Sequence, residues 1–153
     1  MEVFTVSLFG HREVFDLREL HKRLYSVIAE LIKEKEYVHF LIGRNGEFDE
    51  YAASVIRLVR RELGNECCEL SLVLPYVVSG VSDYERYYDG IVIPECAHGA
   101  HAKAAIGIKN RWMVERSDLV IAYVERSDGG AYRAVRYAET LNKTVINLAS
   151  KAN

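Results

Sequence analysis

The chain has 153 residues, half of them hydrophobic and 27% charged, with a formal net charge of -2. These figures fit one soluble globular domain over residues 1–153, and they show no global basic excess pointing to nucleic acid. No apolar run approaches the roughly 20 residues of a membrane span, MEVFTVSLFG lacks the layout of a signal peptide, and three cysteines with Cys67 and Cys68 adjacent make no disulfide framework, so a cytoplasmic setting is expected.

In chain order, VFTVSLFG (Val3 to Gly10) is β-rich and ends on glycine, which predicts a first strand. Asp16 and Glu19 follow as an N-cap and its partner three residues on. Leu17, Leu20, Leu24, Val27, Ile28 and Leu31, spaced by threes and fours, predict a long helix with one apolar face. Tyr37 to Gly43 reads as the second strand. A helix from near Gly46 carries Ala52, Ala53, Ile56, Val59 and Leu63 inward and stops at Gly64. LSLVLPY, Leu70 to Tyr76, reads as the third strand. SDYERYYDG reads as a short helical segment capped by Ser82 or Asp83, and GIVIPE as a short strand.

AHAKAAIGIKNRWMVERS suits a helix, with Gly107 against it. DLVIAYV is another strand, ERSDGG a loop, AYRAVRYAETL a helix and TVINLA the last strand. Strands thus alternate with helices, and several strands lack polar alternation, as parallel strands covered on both faces do. The pattern predicts one doubly wound α/β domain, mostly parallel, with helices on both faces.

In such a sheet ligands bind outside the strand carboxyl ends, where helix N-termini offer free amides to anions. Three polar, glycine-bearing turns fall there: GHRE at Gly10, GRNGEFDE at Gly43 and ERSDGG ending in Gly129 and Gly130. Glycine permits close approach of backbone to a ligand, although each turn alone has an ordinary structural reading. No GxGxxG fingerprint and no GxxxxGK[ST] loop is present, which disfavours a standard dinucleotide-binding domain or a P-loop enzyme.

Four blocks in order, SLFGHRE, FLIGRNGEFDEYAA, KNRWMVERSDLVIAYV and DGGAYRAVRYAETLNKTVINLA, resemble the SLOG superfamily. That group contains the DNA-processing protein DprA, the LOG-type nucleotide phosphoribohydrolases and the small YpsA-like proteins, and the last branch is the nearest fit. The resemblance implies a Rossmann-like fold that binds a nucleotide or nucleotide-derived ligand, ADP-ribose-like ligands included. By position it places Gly10, His11 and Arg12 at the first turn, Gly43, Gly46 and Asp49 at the second, and Gly129 and Gly130 at a phosphate-facing turn. Asn110 and Arg111 lie in a segment that recurs in the resembled branch. The LOG enzymes carry PGGxGTxxE with an accompanying arginine; here the stretch reads SDGGAYRAV, without the second GT and without a glutamate in step, so phosphoribohydrolase activity gains little support.

The remaining constellations weigh as follows. Arg12 and Arg44, in the cradle turns, suit bidentate phosphate binding, against the alternative of solvated surface side chains. Glu47 and Asp49 fall near a helix N-terminus, where the macrodipole favours carboxylates without any further role; Asp49 also suits a ribose hydroxyl. Cys96, His98 and His101 fall within six residues, but no second ligand pair accompanies them, so no metal is expected. Tyr84, Tyr87, Tyr88 and Trp112 read as packing residues, and Cys67 and Cys68 as inert thiols.

The expectation is therefore a binder of a nucleotide-like small molecule, requiring no cofactor, with a homo-oligomer as the expected assembly and no membrane partner. The first alternative is a hydrolase of the nucleotide N-glycosidic bond using Glu47 or Asp49. A DprA-like nucleic-acid-binding module ranks third, because full-length DprA carries further domains and a more basic surface; nucleic acid is not the expected partner, with a local basic patch left open.

Overall fold

The computed structural model describes residues 1–64 and 66–149. Among them, β1 (Val3–Gly10), β2 (Tyr37–Ile42), β3 (Cys68–Val73), β4 (Gly90–Val92), β5 (Leu119–Tyr123) and β6 (Thr144–Asn147) form one sheet in the order β4-β3-β2-β1-β5-β6. Every adjacent pair is parallel, so all carboxyl ends share one edge. The helices are α1 (Leu17–Glu34), α2 (Glu47–Leu63), α3 (Val81–Tyr84), α4 (Ala102–Arg116) and α5 (Gly130–Thr140), with a 3-10 turn at Glu95–Ala97.

The periodicity that predicts the helices also sorts them onto faces. Leu20, Leu24 and Ile28 of α1 and Phe48, Ala52 and Ile56 of α2 pack on Val6, Leu8, Phe40, Ile42, Leu70 and Leu72 in one core. Met113 and Val114 of α4 and Ala134 and Ala138 of α5 pack on Phe9, Leu41, Val73 and Val120 in the other. The sheet is thus covered on both faces, as its unbroken apolar strands require. Asp16 caps α1 as expected, its side chain accepting from Glu19 N at 3.1 Å.

Two details depart from expectation, and a third, the helix through Gly107, follows it. β3 starts at Cys68 rather than Leu70 and stops at Val73 rather than Tyr76. Leu74 N still donates to Val92 O at 2.8 Å, but Pro75 has no N–H with which to continue the ladder. The cap of α3 is Gly80, left-handed at φ 76°, not Ser82 or Asp83, and Asp83 N donates to Gly80 O. Gly107 does not interrupt α4.

From β1 the chain winds through β2 and β3 to β4, then crosses by α4 to β5 on the other side of β1. The winding reverses between β1 and β5, and such a switch point opens a crevice at the strand carboxyl ends. The returning helix is pinned at its own end: Ser117 Oγ donates to Met113 O at 2.7 Å, and Ser7 Oγ of β1 to the same carbonyl at 3.1 Å.

Candidate functional site

A cavity of about 950 Å³ occupies that crevice and continues between α4 and α5. This is at the upper end of the range, about 300–1,000 Å³, in which ligand pockets fall. Gly10, Gly43, Gly129 and Gly130 all line it, so the three polar turns converge on one space. Its charged lining is mostly positive. Among the described residues Arg12, Lys103, Lys109, Arg111, Arg126, Arg133 and Arg136 line it with one carboxylate, that of Asp49; outside the lining, Asp128 pairs with Arg126 at 3.8 Å and Glu139 with Arg136 at 3.7 Å. In a chain of net charge -2, positive charge has been gathered at one place, which draws an anion there.

The glycines serve different physical ends. A methyl group on Gly10 would lie 2.1 Å from Phe48 Cγ, so this position lets the α2 ring pack under β1. A methyl on Gly46 would meet the Arg12 backbone at 2.4 Å; the same approach lets Glu47 N donate to Arg12 O at 2.9 Å, tying the first and second turns together. Gly129 has φ 91°, which an L side chain rarely adopts, and nothing lies within 4 Å of where its side chain would stand. Gly129 caps α5 without a side-chain hydrogen bond, and Gly130 and Ala131 of the first turn line the cavity.

The floor is built from α2 and α4. Asp49, 5% exposed, accepts from Asn45 N at 2.8 Å through Oδ2 and so closes the turn before α2. Burial pushes its pKa up to about 6, against the opposing pull of the Asn45 N–H and the Lys109 charge. Lys109 is 1% exposed, and burial brings its pKa down to about 8, with Asp49 opposing. No described residue gives Lys109 a hydrogen bond, and no carboxylate comes within 4.0 Å of its Nζ. Asn110, next along α4, is buried with its Oδ1 unpartnered, and its Nδ2 lies 3.8 Å from where a Gly130 side chain would start. A buried group left unpaired costs free energy, and such groups cluster at binding sites.

His11 holds the late turn. Its Nε2 accepts from Glu125 N at 2.8 Å and Arg126 N at 3.3 Å. Both bonds need the neutral ring, and burial first, then the Arg126 charge, lower its pKa, while Glu125 and Asp128 oppose. Tyr123 meets the His11 ring edge-on and stacks with Phe48.

Of the residues singled out in the sequence, Gly10, His11, Arg12, Gly43, Asp49, Asn110, Arg111, Gly129 and Gly130 line the cavity. Arg44, Gly46 and Glu47 do not. Arg44 turns away, its guanidinium over the Tyr84 ring at 4.4 Å and paired with Glu50 at 3.6 Å. Glu47 is exposed beside the helix start, while Asp49 two residues on points inward. Among the described residues no cluster of His, Cys, Asp and Glu has the makings of a metal site. Cys68 is buried, and its thiol is pushed up to about 12, first by burial.

Sequence reasoning missed Lys109, Lys103, Arg126, Arg133 and Arg136. A lysine in a helix ordinarily reads as solvated. The usable signal was that AKAAIGIKNRWMV shows no single apolar stripe, so α4 is enclosed on more than one side and a lysine in its middle falls inside. The expectation that nucleic acid is not the partner also loses its support in net charge. Charge here is segregated, and the total does not describe the cavity.

No family model and no curated protein matches the chain. Solved structures do. DNA processing protein A from Helicobacter pylori, described for its single-stranded DNA binding mode, matches with TM-score 0.64 at 16% identity, over 93% of this chain and 63% of its own. DprA from Streptococcus pneumoniae matches with TM-score 0.67 at 16% identity, over 93% of this chain and 49% of its own. The molybdenum cofactor binding protein of Rippkaea orientalis matches with TM-score 0.61 at 20% identity, over 95% of this chain and 76% of its own. The chain thus spans between about half and two thirds of the two DprA chains. At these identities the likeness is one of fold: a Rossmann-like α/β domain shared by a DNA-binding protein and a cofactor-binding protein.

Proposed function

We propose that this chain is a SLOG-type protein of the small YpsA-like branch. In this reading it binds an anionic, nucleotide-derived small molecule in the β1–β5 crevice, with a phosphate on the first-turn amides of α5. The four sequence blocks and the shared fold support the assignment. The observation that carries the function is the cavity itself, lined by seven cations and one carboxylate beside the start of α5. A helix N-terminus with arginines around it suits a phosphate group. Binding requires no metal or cofactor in this reading. The setting is cytoplasmic, and the exposed Phe15 and Val77 offer apolar surface for a homo-oligomer.

The test is a thermal-shift screen of nucleotides, cyclic nucleotides and ADP-ribose derivatives, repeated with chelator and with Gly130→Asp. A true ligand at about 100 times Kd adds about 2.7 kcal/mol of stability. The gain should survive chelation and vanish in the variant.

One observation favours a second reading. Asp49 is the cavity's one carboxylate and, with a pKa of about 6, sits in the range useful for proton transfer. An N-glycosidic-bond hydrolase would therefore act through Asp49 and not through the exposed Glu47. Release of free base that disappears in Asp49→Asn, with binding retained, would establish it. A single-stranded oligonucleotide belongs in the same screen, because two of the similar structures are DNA-processing proteins.

A further inference from the structure

Lys109 is the least explained residue of the cavity. Its side chain is buried and its ammonium has no hydrogen bond. The position of the ammonium is defined by Gly43. A methyl group on Gly43 would stand 2.7 Å from Lys109 Nζ and 3.5 Å from Asp49 Oδ2. Asn45 Nδ2, at 3.4 Å, is a second donor beside it. Two donors and one acceptor therefore flank one small space, which exists because residue 43 has no side chain. Lys109 Nζ and Asp49 Oδ2 lie too far apart to bond each other, beyond 4.0 Å, yet no further apart than their two distances laid end to end. Two hydrogen bonds through one shared oxygen, each about 2.8 Å long, span up to about 5.6 Å of such a gap.

The chemistry of that oxygen is constrained on both sides. It must accept from the ammonium and donate to the carboxylate. A phosphate oxygen fails the second requirement and is repelled by Asp49. A methyl or ring carbon fails both and leaves the Lys109 ammonium without a hydrogen bond. A hydroxyl satisfies both at once. The start of α5 at Gly130 is where an anion is welcome, and α4 connects it to Gly43 through consecutive residues: Lys109 at Gly43 and Asn110 at Gly130. We propose that Lys109 and Asp49 form a hydroxyl clamp at Gly43 that takes a sugar hydroxyl of the ligand, and that this clamp fixes which way round the ligand lies. The proposal rests on the reading of the cavity as a nucleotide-type site, and it assigns the specificity of that site to a residue pair on α4 and α2.

The experiment uses the whole chain in calorimetric titrations with four probes: pyrophosphate, ADP, 2′,3′-dideoxy-ADP and inosine diphosphate. Pyrophosphate reports the anion end alone. Failure of every probe to bind would reject the nucleotide-site reading itself. With pyrophosphate bound, the clamp predicts that ADP binds tighter than pyrophosphate and that dideoxy-ADP is weaker than ADP by about tenfold or more, the range for a hydrogen bond to a charged group. In Lys109→Met, which removes a buried charge and should fold, the ratio of ADP to dideoxy-ADP affinity should fall close to one, while pyrophosphate affinity changes less. A lysine with a merely structural role would shift all probes together and leave the ratio alone. Equal binding of ADP and dideoxy-ADP by the unaltered protein, or ADP no tighter than pyrophosphate, would overturn the clamp. A loss confined to inosine diphosphate would overturn it too, by placing the base edge at the floor in place of the sugar.

Discussion

At Gly10, Asp49 and Lys109 the same residues serve packing and site, and each can be tested apart from any ligand. Gly10→Ala drives a methyl into the Phe48 ring. Overpacking of this kind costs about 1–3 kcal/mol, so a denaturant midpoint unchanged by the substitution would contradict the geometry. Lys109 and Asp49 are held in the fold at a cost. Between about pH 8 and 10.5 the unfolded chain keeps the Lys109 proton that the folded state has given up, so stability should rise with pH there. Between 3.8 and about 6 the folded state keeps the Asp49 proton that the unfolded chain has lost, so stability should rise as pH falls through that interval. At pH 7 both penalties apply. Lys109→Met should raise Tm at pH 7, by less than the lysine's own penalty because the variant also removes the charge that opposes the rise in the Asp49 pKa. The gain should shrink above pH 8. Thermal melts across pH measure it, and a destabilised Lys109→Met would reject the idea of a strained charge.

At the scale of elements, the turn between β5 and α5 is the part most open to control. His11 must be neutral to accept from Glu125 N and Arg126 N. Because its folded pKa is lowered, the contribution of these bonds is present above 6.5 and is lost as pH falls through the lowered value. Protection of the Glu125 and Arg126 amides from hydrogen exchange should therefore drop on acidification, and His11→Ala should show the low protection at every pH. Unchanged protection in that variant would free the turn from His11. This level of organisation was partly legible in the sequence. The amphipathic spacing of α1 and α2 and the apolar run of β5 declare themselves, because one-sided burial of a helix and two-sided burial of a strand each leave a period. The edge near β4 was less legible, since a three-residue strand and a four-residue helix are too short to show a period. There Pro75 and the left-handed Gly80 decide the boundaries. Turn positions such as Gly43 and Gly129 announced a seam at the strand ends, but not which contacts close it. Those contacts join Gly10 to Phe48, Gly46 to Arg12 and Gly43 to Lys109, over separations that no local pattern records.

For the molecule as a whole, the decisive property is the separation of charge. A net charge of -2 coexists with seven cations around one cavity, and only a fold brings residues 12, 103, 109, 111, 126, 133 and 136 together. If that assembly is the binding machinery, affinity for an anionic ligand should weaken as salt rises, because the cavity is open to solvent and exposed charges are screened within about 10 Å at 0.1 M salt. The central measurement is a calorimetric titration of the unaltered protein and of Gly130→Asp with ADP at low and high salt. The account predicts binding by the unaltered protein, weaker at high salt, and its loss in Gly130→Asp while the circular dichroism spectrum is kept. Equal affinity in the two proteins, or affinity indifferent to salt, would contradict the claim that the crevice between β1 and β5 is an anion-binding site.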